Sequence, residues 1–335
     1  MPTMPAVAVT ESLPITNPNS LVDVDLPVPT PGQNDLLIEI RAISVNPIDV
    51  KIRQGAGTPS EPLVLGFDGV GQVRAVGEAV EDFAIGDEVW FAGDRTRQGS
   101  YARYTLVDHR VAARRPGTLA AASAAALPLT AITASEALCE HINLGGDDAF
   151  LMVGGAGGVG SMAIQLARVL TQGPVIATAS RTESDEWCRR LGADATIDHH
   201  RPLAEQVQQL GVEGFQGILS AYSSGREADF AEIMAPFGRL VVIDAMPSLN
   251  TNAFKPKSLS MVAESMFTRT QFHTSDIAEQ GRILARVADL VDNGKVRSTM
   301  TKCFKGINAA TLREATELVE SGHTIGKVVV EADAW

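Results

Sequence analysis

The chain has 335 residues, 45% of them hydrophobic and 20% charged, which is ordinary for a globular protein of about two domains. Its formal net charge of −12 argues against nucleic acid or an anionic membrane as a partner. The cysteines, Cys139, Cys188 and Cys303, are far apart and predict no disulfide framework. No signal peptide is evident, and the Ala-rich run Leu119–Leu129 is too short to span a bilayer, so we expect a cytoplasmic protein.

The first part of the chain, to about residue 125, reads as mostly β structure. Turn-forming clusters such as PTPGQND and AIGDE separate short β-prone runs, as expected for a barrel or a sandwich. The predicted strands are Leu36–Ala42, Gly69–Val76, Glu88–Phe91 and Ser100–Val107.

Strand and helix patterns alternate from Asp148 to Asp244, which predicts a doubly wound parallel sheet. The predicted strands there are Ala149–Val153, Val175–Ala179, Ala195–Ile197, Gly217–Ser220 and Leu240–Ile243. The helices between them are Glu186–Leu191, Leu203–Leu210 and Ala228–Met234. Two amphipathic helices and a β-branched strand follow, at Ala278–Asp292, Ala309–Glu320 and Gly326–Glu331. The simplest architecture is a β-rich domain with an inserted nucleotide-binding domain.

A glycine-rich turn joins the first of these strands to an amphipathic run. Gly155, Gly157 and Gly160 satisfy G-x-G-x-x-G in the strand–turn–helix context in which the pattern indicates dinucleotide binding. The glycines allow a tight turn and close approach of the backbone to a pyrophosphate, which lies against the helix N-terminus. The cofactor-binding residues predicted at this turn are Gly155, Gly157, Gly158, Val159 and Gly160.

The end of the next strand indicates which dinucleotide binds. An NAD-preferring site usually has a carboxylate there to bind the ribose 2′-hydroxyl, but this chain has Ser180 and Arg181. A hydroxyl and a guanidinium suit the 2′-phosphate of NADP(H), which a carboxylate would repel. The alternative is a solvated surface arginine. Glu183 and Asp185 lie just beyond, and we interpret them as helix-start residues rather than ribose ligands.

Several motifs in order along nearly the whole chain resemble the medium-chain dehydrogenase/reductase superfamily, in its quinone oxidoreductase-like branch. They are NPID at Asn46–Asp49, LGFDGVG, IGDEVWFAG, PLTAITASEAL, VGGAGGVGSMAIQLAR and GKVVV. AGDRTRQGSYARYTLVD, IATASR and KSLSMVAESMFTRTQF further resemble a bacterial group of zinc-type alcohol dehydrogenase-like proteins. The resemblance implies an α/β protein with a GroES-like β-rich catalytic domain (1–127 and 273–335) and a Rossmann NADP-binding domain (128–272), a cleft between them, and a homodimer.

The resemblance also allows the zinc in that group's name to be tested. Zinc alcohol dehydrogenases have a catalytic Cys where this chain has Asn46 and G-H-E where it has Gly66-Phe67-Asp68, and the four-cysteine structural lobe is missing. A catalytic zinc needs about three His, Cys or carboxylate ligands, and only Asp49 and Asp68 are local candidates. The six histidines show no ligand spacing either. We therefore expect no metal.

Without a metal, the acceptor must be one that delocalises the incoming hydride, which favours quinones and α,β-unsaturated carbonyls over simple ketones. The resemblance places Asn46 and Asp49 near the nicotinamide as the candidate catalytic residues. Asn46 would donate to the substrate oxygen, and Asp49 would orient the site, through Arg53. The alternative is that Asn46-Pro47 is only a turn and Asp49 a helix cap. Asp68 is expected to support the turn after Gly66.

Further cofactor contacts are expected from resemblance and from strand ends. Thr130, and less so Thr133, would contact the nicotinamide, with helix capping as the alternative. Ser223 and Asp244 follow strand ends, where ligands of doubly wound sheets gather. Lys327 would reach the cofactor, with an exposed strand lysine as the alternative. Four apolar residues would form a substrate wall or, as we favour, core or dimer interface: Met261, Met266, Phe267 and Phe272.

Alternative functions stay open at this point. The chain could be an alcohol dehydrogenase or aldehyde reductase of the zinc-type group. It could also be a non-catalytic NADPH-binding redox sensor.

Overall fold

The structure, a computed structural model, describes residues 2–333. The chain forms two compact units, one built from the residues up to Ile132 together with those from Phe267 onward, the other from Thr133–Met266. The strands are β1 (Thr3–Val9), β2 (Val22–Pro27), β3 (Asp35–Val45), β4 (Leu63–Val64), β5 (Asp68–Val76), β6 (Glu88–Phe91), β7 (Tyr104–Asp108), β8 (Ala112–Arg114), β9 (Phe150–Val153), β10 (Val175–Thr178), β11 (Ala195–Ile197), β12 (Phe215–Ser220), β13 (Met234–Val242), β14 (Ser260–Ala263), β15 (Met300–Lys305) and β16 (Lys327–Glu331).

The helices alternate with strands mainly in the second unit. They are α1 (Pro47–Gly55), α2 (Ala121–Ala125), α3 (Pro128–Ser135), α4 (Gly158–Leu170), α5 (Thr182–Arg190), α6 (Leu203–Gln209), α7 (Glu227–Ile233), α8 (Thr251–Phe254), α9 (Thr268–Gln271), α10 (Glu279–Asp292) and α11 (Ala309–Glu320), with a π-helix at Glu136–Ile142 and short 3₁₀ turns at His109–Val111 and Lys255–Lys257.

The first unit is built on β3, the longest strand, which is buried along almost its whole length. A seven-stranded sheet has the order β15-β16-β3-β5-β6-β8, and β7 also pairs with β3. A three-stranded sheet, β2-β1-β4, lies beside it in the same apolar core. The predicted strands here are all found. We did not predict β1, the short strands β4 and β8, or β2 and β15. The half-exposed patterns of β2 and β15, such as VDVDLP in β2, carry a weak apolar signal.

The second unit is a parallel six-stranded sheet of order β11-β10-β9-β12-β13-β14, which confirms the predicted doubly wound topology. The chain winds outward from β9 to β11 and then returns to place β12 on the other side of β9. The carboxyl end of β9 is thus the point where the winding direction changes, and ligands of such sheets bind there. We did not predict the edge strand β14, whose residues are half-buried or exposed.

The helical stretch that joins the two units is longer than the sequence suggested. It runs from Ala121 to Ile142, 22 residues with a mean hydropathy of 1.3, and so has the length and composition of a membrane span. Pro128 does not stop it, because proline is tolerated in the first turn of α3. Since 89% of its apolar window is buried inside the protein, it matches the core helix of a folded domain.

The boundaries between the units lie after Ile132 and after Met266, a few residues from the expected positions 127/128 and 272/273. Contacts with the first unit explain both shifts. The Leu129 N–H donates to the Asp68 carboxylate of the β3–β5 sheet. The Phe267 ring packs edge-on against Phe67, with ring centroids 5.2 Å apart.

Candidate functional site

The glycine turn, Gly154–Gly160, runs from the end of β9 into the first residues of α4. Gly154 has a positive φ of 90°, and its N–H donates to the Thr178 hydroxyl at the end of β10. Gly157 is the N-cap of α4, and Ser161 is the first residue whose N–H bonds back to it, 2.8 Å from the Gly157 carbonyl. The N–H groups of Gly158, Val159 and Gly160 precede this ladder, so they are placed to bind an anion at the positive end of the helix dipole.

The three motif glycines serve different purposes. A Cβ on Gly160 would lie 2.3 Å from the Gly154 carbonyl oxygen, and one on Gly155 would lie 2.7 Å from the Ala177 Cβ. These two glycines therefore allow the turn to pack against α4 and β10. A Cβ on Gly157 would meet only the Gly154 oxygen, at an ordinary 3.5 Å. Gly157 is thus not required by packing, and its half-exposed backbone is open to a ligand.

The end of β10 presents exposed Ser180 and Arg181 beside this turn, with Arg181 as the N-cap of α5. The nearby carboxylate of Asp185 is engaged elsewhere: it binds the Thr196 hydroxyl and, at 2.9 Å, the Arg189 Nε. These bonds hold its pKa below the usual value, the Thr196 bond most strongly. Asp185 is therefore engaged by two side chains of the second unit.

Ser223 and Asp244 follow β12 and β13 and bind each other. The Ser223 N–H and hydroxyl donate to the two Asp244 carboxylate oxygens, at 2.7 and 2.6 Å. Ser223 is fully buried and Asp244 half-buried. The pair ties two strand ends together at the carboxyl edge of the parallel sheet, where ligands of such sheets generally bind.

In the first unit, a second constellation forms where α1 begins. Asn46 is the N-cap residue, and its N–H donates to Asp49 Oδ2 at 2.7 Å. Asp49 Oδ1 accepts from the Gly66 N–H at 3.0 Å. The capping role given as the alternative for Asp49 is therefore present. It is also Asp49, and not Asp68 as expected, that binds the turn at Gly66.

Asp68 is the centre of a fully buried group that we call the Asp68 cluster: Ser44, Asn46, Asp68 and Lys327. Asp68 Oδ1 accepts from the Leu129 N–H at 2.6 Å, and Oδ2 accepts from Asn46 Nδ2 at 2.8 Å and from the Ser44 hydroxyl. The Lys327 ammonium lies 3.4 Å from Oδ2. It also donates to Asn46 Oδ1 at 2.6 Å and to the Val45 carbonyl at 3.1 Å. An exposed strand lysine is therefore wrong for Lys327, which is only 4% exposed.

Burial shifts the ionisation of these groups in opposite directions. Burial, helped by the negative charge of Asp68, raises the pKa of Asp49 to about 7, although two N–H bonds and Lys327 favour its ionised form. Burial lowers the pKa of the Lys327 ammonium, against the attraction of Asp68 and Asp49. Tyr101 is buried beside Asp49, and burial followed by the Asp49 charge raises its pKa well above the usual value. The region thus holds a proton that titrates near neutrality.

Arg53 does not orient Asp49. Its guanidinium, 1% exposed, donates to the Leu13 carbonyl and pairs with Glu320 Oε2 at 2.8 Å. The expected route through Arg53 is therefore wrong, because its partners tie α1 to the N-terminal segment and to α11.

The remaining candidates divide between local and core contacts. Thr130 is 2% exposed, and its hydroxyl donates to the Leu127 carbonyl at 3.0 Å, whereas a capping side chain would accept from a backbone N–H. Thr133 is also buried. Met266 and Phe267 are buried, and Met261 packs against the core of the second unit, which fits the core interpretation. Phe272 is 68% exposed and does not belong to the core.

Two contacts escaped sequence reasoning. Thr178 fixes the glycine turn, and its only sequence signal is a hydroxyl at a strand end. Ser44 reaches Asp68 because the two residues face each other in the β3–β5 register, which the sequence does not reveal.

Comparison with known proteins supports the interpretation of the chain as a GroES-like unit and a dinucleotide-binding unit. The alcohol dehydrogenase GroES-like domain model matches residues 32–121, and the zinc-binding dehydrogenase model matches residues 191–330. A zinc-type alcohol dehydrogenase-like protein of Staphylococcus aureus is 37% identical over 312 residues, covering 90% of this chain and 92% of the relative. The crystal structure of a putative zinc-dependent alcohol dehydrogenase protein from Rhizobium etli is 45% identical, with a TM-score of 0.95 and 99% of each chain covered.

Two further solved structures extend the likeness. A mycobacterial protein complexed with NADPH is 26% identical, with a TM-score of 0.82 and coverage of 98% and 100%. The quinone oxidoreductase from Coxiella burnetii is 27% identical, with a TM-score of 0.81 and coverage of 99% and 100%. A β-rich unit of GroES type followed by a parallel sheet with a glycine turn defines a two-domain oxidoreductase. The chain belongs to the medium-chain dehydrogenase/reductase superfamily, among the zinc-type alcohol dehydrogenase-like proteins.

Zinc, which these family names imply, does not fit the donor set at Asn46 and Asp68. Both oxygens of Asp49 accept backbone N–H groups, and both oxygens of Asp68 accept bonds from neighbours. The Lys327 ammonium already supplies a positive charge 3.4 Å from Asp68. Neither thiol nor imidazole belongs to these contacts, whereas a catalytic zinc needs about three His, Cys or carboxylate ligands.

The histidine prediction needs one correction. Within residues 2–333, one group of three potential metal ligands has its ligand atoms within 4.8 Å of one another: Asp198, His199 and His200. These residues are consecutive in the turn after β11, and the His200 N–H already donates to the Asp198 carboxylate at 2.9 Å. A local turn of the second unit brings these three ligand atoms together, which the sequence did not indicate.

Proposed function

We propose that this protein is an NADPH-dependent oxidoreductase that works without zinc and transfers hydride to quinones or α,β-unsaturated carbonyls. The observation that carries the proposal is the carboxyl edge of the parallel sheet. There the N–H groups of Gly158, Val159 and Gly160 precede the α4 ladder and lie beside a β10 end that offers Ser180 and Arg181. The nearby Asp185 carboxylate is engaged by Thr196 and Arg189. This combination suits a pyrophosphate and a 2′-phosphate.

Each cofactor-binding residue has a distinct part in this proposal. The glycine turn holds the pyrophosphate, with Gly157 allowing close approach of the backbone. Ser180 and Arg181 bind the 2′-phosphate, while Ser223 and Asp244 shape the strand ends beneath the nucleotide. Thr130 and Lys327 are proposed to approach the nicotinamide. NADPH, when bound, supplies a hydride, and the mycobacterial relative complexed with NADPH supports this choice.

The proposed acceptor follows from the chemistry of the first unit. Asn46 and Asp49 are proposed to act where the acceptor is reduced, Asn46 as a hydrogen-bonding group and Asp49 as an orienting one. Because no zinc ligands converge there, the negative charge that develops on the acceptor must be delocalised, as in a hydroquinone anion or an enolate. The likeness to the Coxiella burnetii quinone oxidoreductase favours the same substrate class. We also propose a cytoplasmic homodimer that binds neither nucleic acid nor membrane.

The purified protein is first analysed for bound metal. Its oxidation of NADPH is then measured with quinones, conjugated enones and simple aldehydes, each with and without a chelator. We expect turnover with quinones or enones, unaffected by the chelator. An aldehyde reductase or alcohol dehydrogenase, which the names of the relatives favour, would instead act on simple aldehydes and alcohols. Chelator-sensitive turnover would contradict the proposal. Saturable NADPH binding without any turnover would identify a non-catalytic binding protein.

A further inference from the structure

Three neighbouring strands of the first unit bring their polar residues to one point. In the sheet order β16-β3-β5, Val328 faces Val45 and Ser44 faces Asp68. Lys327 at the start of β16 is thereby brought next to Asn46 at the end of β3. These side chains are between 0% and 4% exposed, so their polar contacts are made with one another and with neighbouring backbone groups.

The contacts of the Asn46 carboxamide allow one orientation. Its oxygen lies 2.6 Å from the Lys327 ammonium, which can only donate hydrogen bonds. Its nitrogen lies 2.8 Å from the Asp68 carboxylate, which can only accept them when ionised. Rotating the amide by half a turn would set its N–H₂ against the ammonium and its oxygen against the carboxylate. Both contacts would then be repulsive.

We propose that the Lys327–Asp68 ion pair fixes the orientation of the Asn46 carboxamide, so that Lys327 and Asp68 are positioning residues for the reaction. Only the kinetic part of this inference rests on the proposed function. The second N–H of Asn46 meets the Ser44 carbonyl at a long 3.4 Å, so it is the weakest bond of the group and the one that a substrate oxygen could replace.

Asp68 extends the same control to the start of α3. Its other oxygen accepts the Leu129 N–H at 2.6 Å, one residue before Thr130. One carboxylate therefore sets both the Asn46 amide and the first turn of the helix that carries Thr130. Stability alone is a weak reason for such a pair, since replacing a buried ion pair by apolar groups is often neutral or stabilising.

The test separates folding from positioning with the variants Lys327→Met and Lys327→Met/Asp68→Asn. The single variant leaves Asp68 buried without its cation, so we expect a lower Tm. The double variant removes both charges, and we expect part of the Tm to return, because the amide at position 68 keeps one of the two acceptor oxygens. The Asn46 amide is followed by NMR of the protein with ¹⁵N-labelled asparagine, with its signals assigned from Asn46→Ala. In the double variant we expect its hydrogens to exchange about tenfold faster, as the loss of a charge-assisted bond predicts.

The kinetic part uses the acceptor found in the NADPH oxidation assay. We expect the double variant to lose about tenfold in kcat. A matched control is the surface pair of the adjoining strands, Lys305 and Glu331. Lys305→Met/Glu331→Gln should leave amide exchange and kcat as in the wild type.

Recovery of Tm together with wild-type amide exchange and kcat in the double variant would overturn the proposal and leave the pair a purely structural role. If the double variant does not fold, Lys327→Gln decides, because it keeps a donor towards Asn46 without the charge. Intermediate exchange in that variant supports the proposal, and unchanged exchange overturns it. If the wild type reduces no acceptor, the proposed function fails, but amide exchange still decides the positioning role.

Discussion

The glycine turn and the Asp68 cluster use hydrogen-bonding groups in opposite ways. In the turn, N–H groups of Gly158 and Val159 stand ahead of the helical ladder and are half-exposed. In the cluster, Asp68 and Lys327 are buried and saturated by partners within the protein. The glycine turn leaves N–H groups available to a negatively charged ligand, whereas the Asp68 cluster neutralises its own buried charges. The difference teaches that the proposed pyrophosphate site relies on backbone N–H groups, whereas the proposed reaction site is oriented by side chains.

The largest expected effect concerns the pH dependence of stability that arises from Asp49, which binds Asn46 of the Asp68 cluster. The pKa of Asp49 is raised to about 7 from an ordinary 3.8, so the folded state binds an extra proton between these pH values. This contribution to stability is therefore fully present below about pH 4 and is lost as the pH rises towards about 7, by up to about 4 kcal/mol. Above about pH 7 it no longer changes.

Asp49→Asn should remove this pH dependence, while lowering stability overall because one of the two N–H bonds to the carboxylate is lost. Urea unfolding at about pH 5 and about pH 8 gives the change in the free energy of unfolding with pH, which is compared between wild type and variant. The exposed Asp25→Asn serves as the control and should keep the wild-type pH profile. An equal pH dependence in wild type and Asp49→Asn would show that Asp49 titrates as an ordinary carboxyl.

A smaller loss of stability is expected when the packing of the glycine turn is disturbed. In Gly160→Ala the new Cβ would lie 2.3 Å from the Gly154 carbonyl oxygen, so the turn must move away from α4. We expect a loss of roughly 2 kcal/mol in stability and weaker NADPH binding, measured by urea unfolding and by fluorescence titration. Gly145→Ala is the control, because nothing lies within 4 Å of its Cβ. Equal stability of the two variants would contradict the packing role of Gly160.

The same contrast explains what could be predicted from the sequence. The glycine turn is a contiguous motif between a strand and a helix, so both its position and its parallel sheet were predicted correctly. The Asp68 cluster joins residues far apart in the chain, with Lys327 and Asn46 281 positions apart. A pattern of local residue types does not reveal such a contact. The burial of Lys327 and the true partners of Arg53 therefore emerged only from the fold.

The smallest expected effect tests whether Arg181 alone determines the preference for NADPH over NADH. Arg181→Glu places a carboxylate at the end of β10, where it would repel a 2′-phosphate and accept a bond from a ribose 2′-hydroxyl. We expect the Kd for NADPH to rise about tenfold, close to 1.4 kcal/mol, while the Kd for NADH stays within about threefold. Titration calorimetry with both nucleotides measures this. Arg190→Glu makes the same charge change at an exposed position of the same helix and should leave the preference intact. Equal weakening of both nucleotides by Arg181→Glu would refute the 2′-phosphate assignment and leave Arg181 a surface residue.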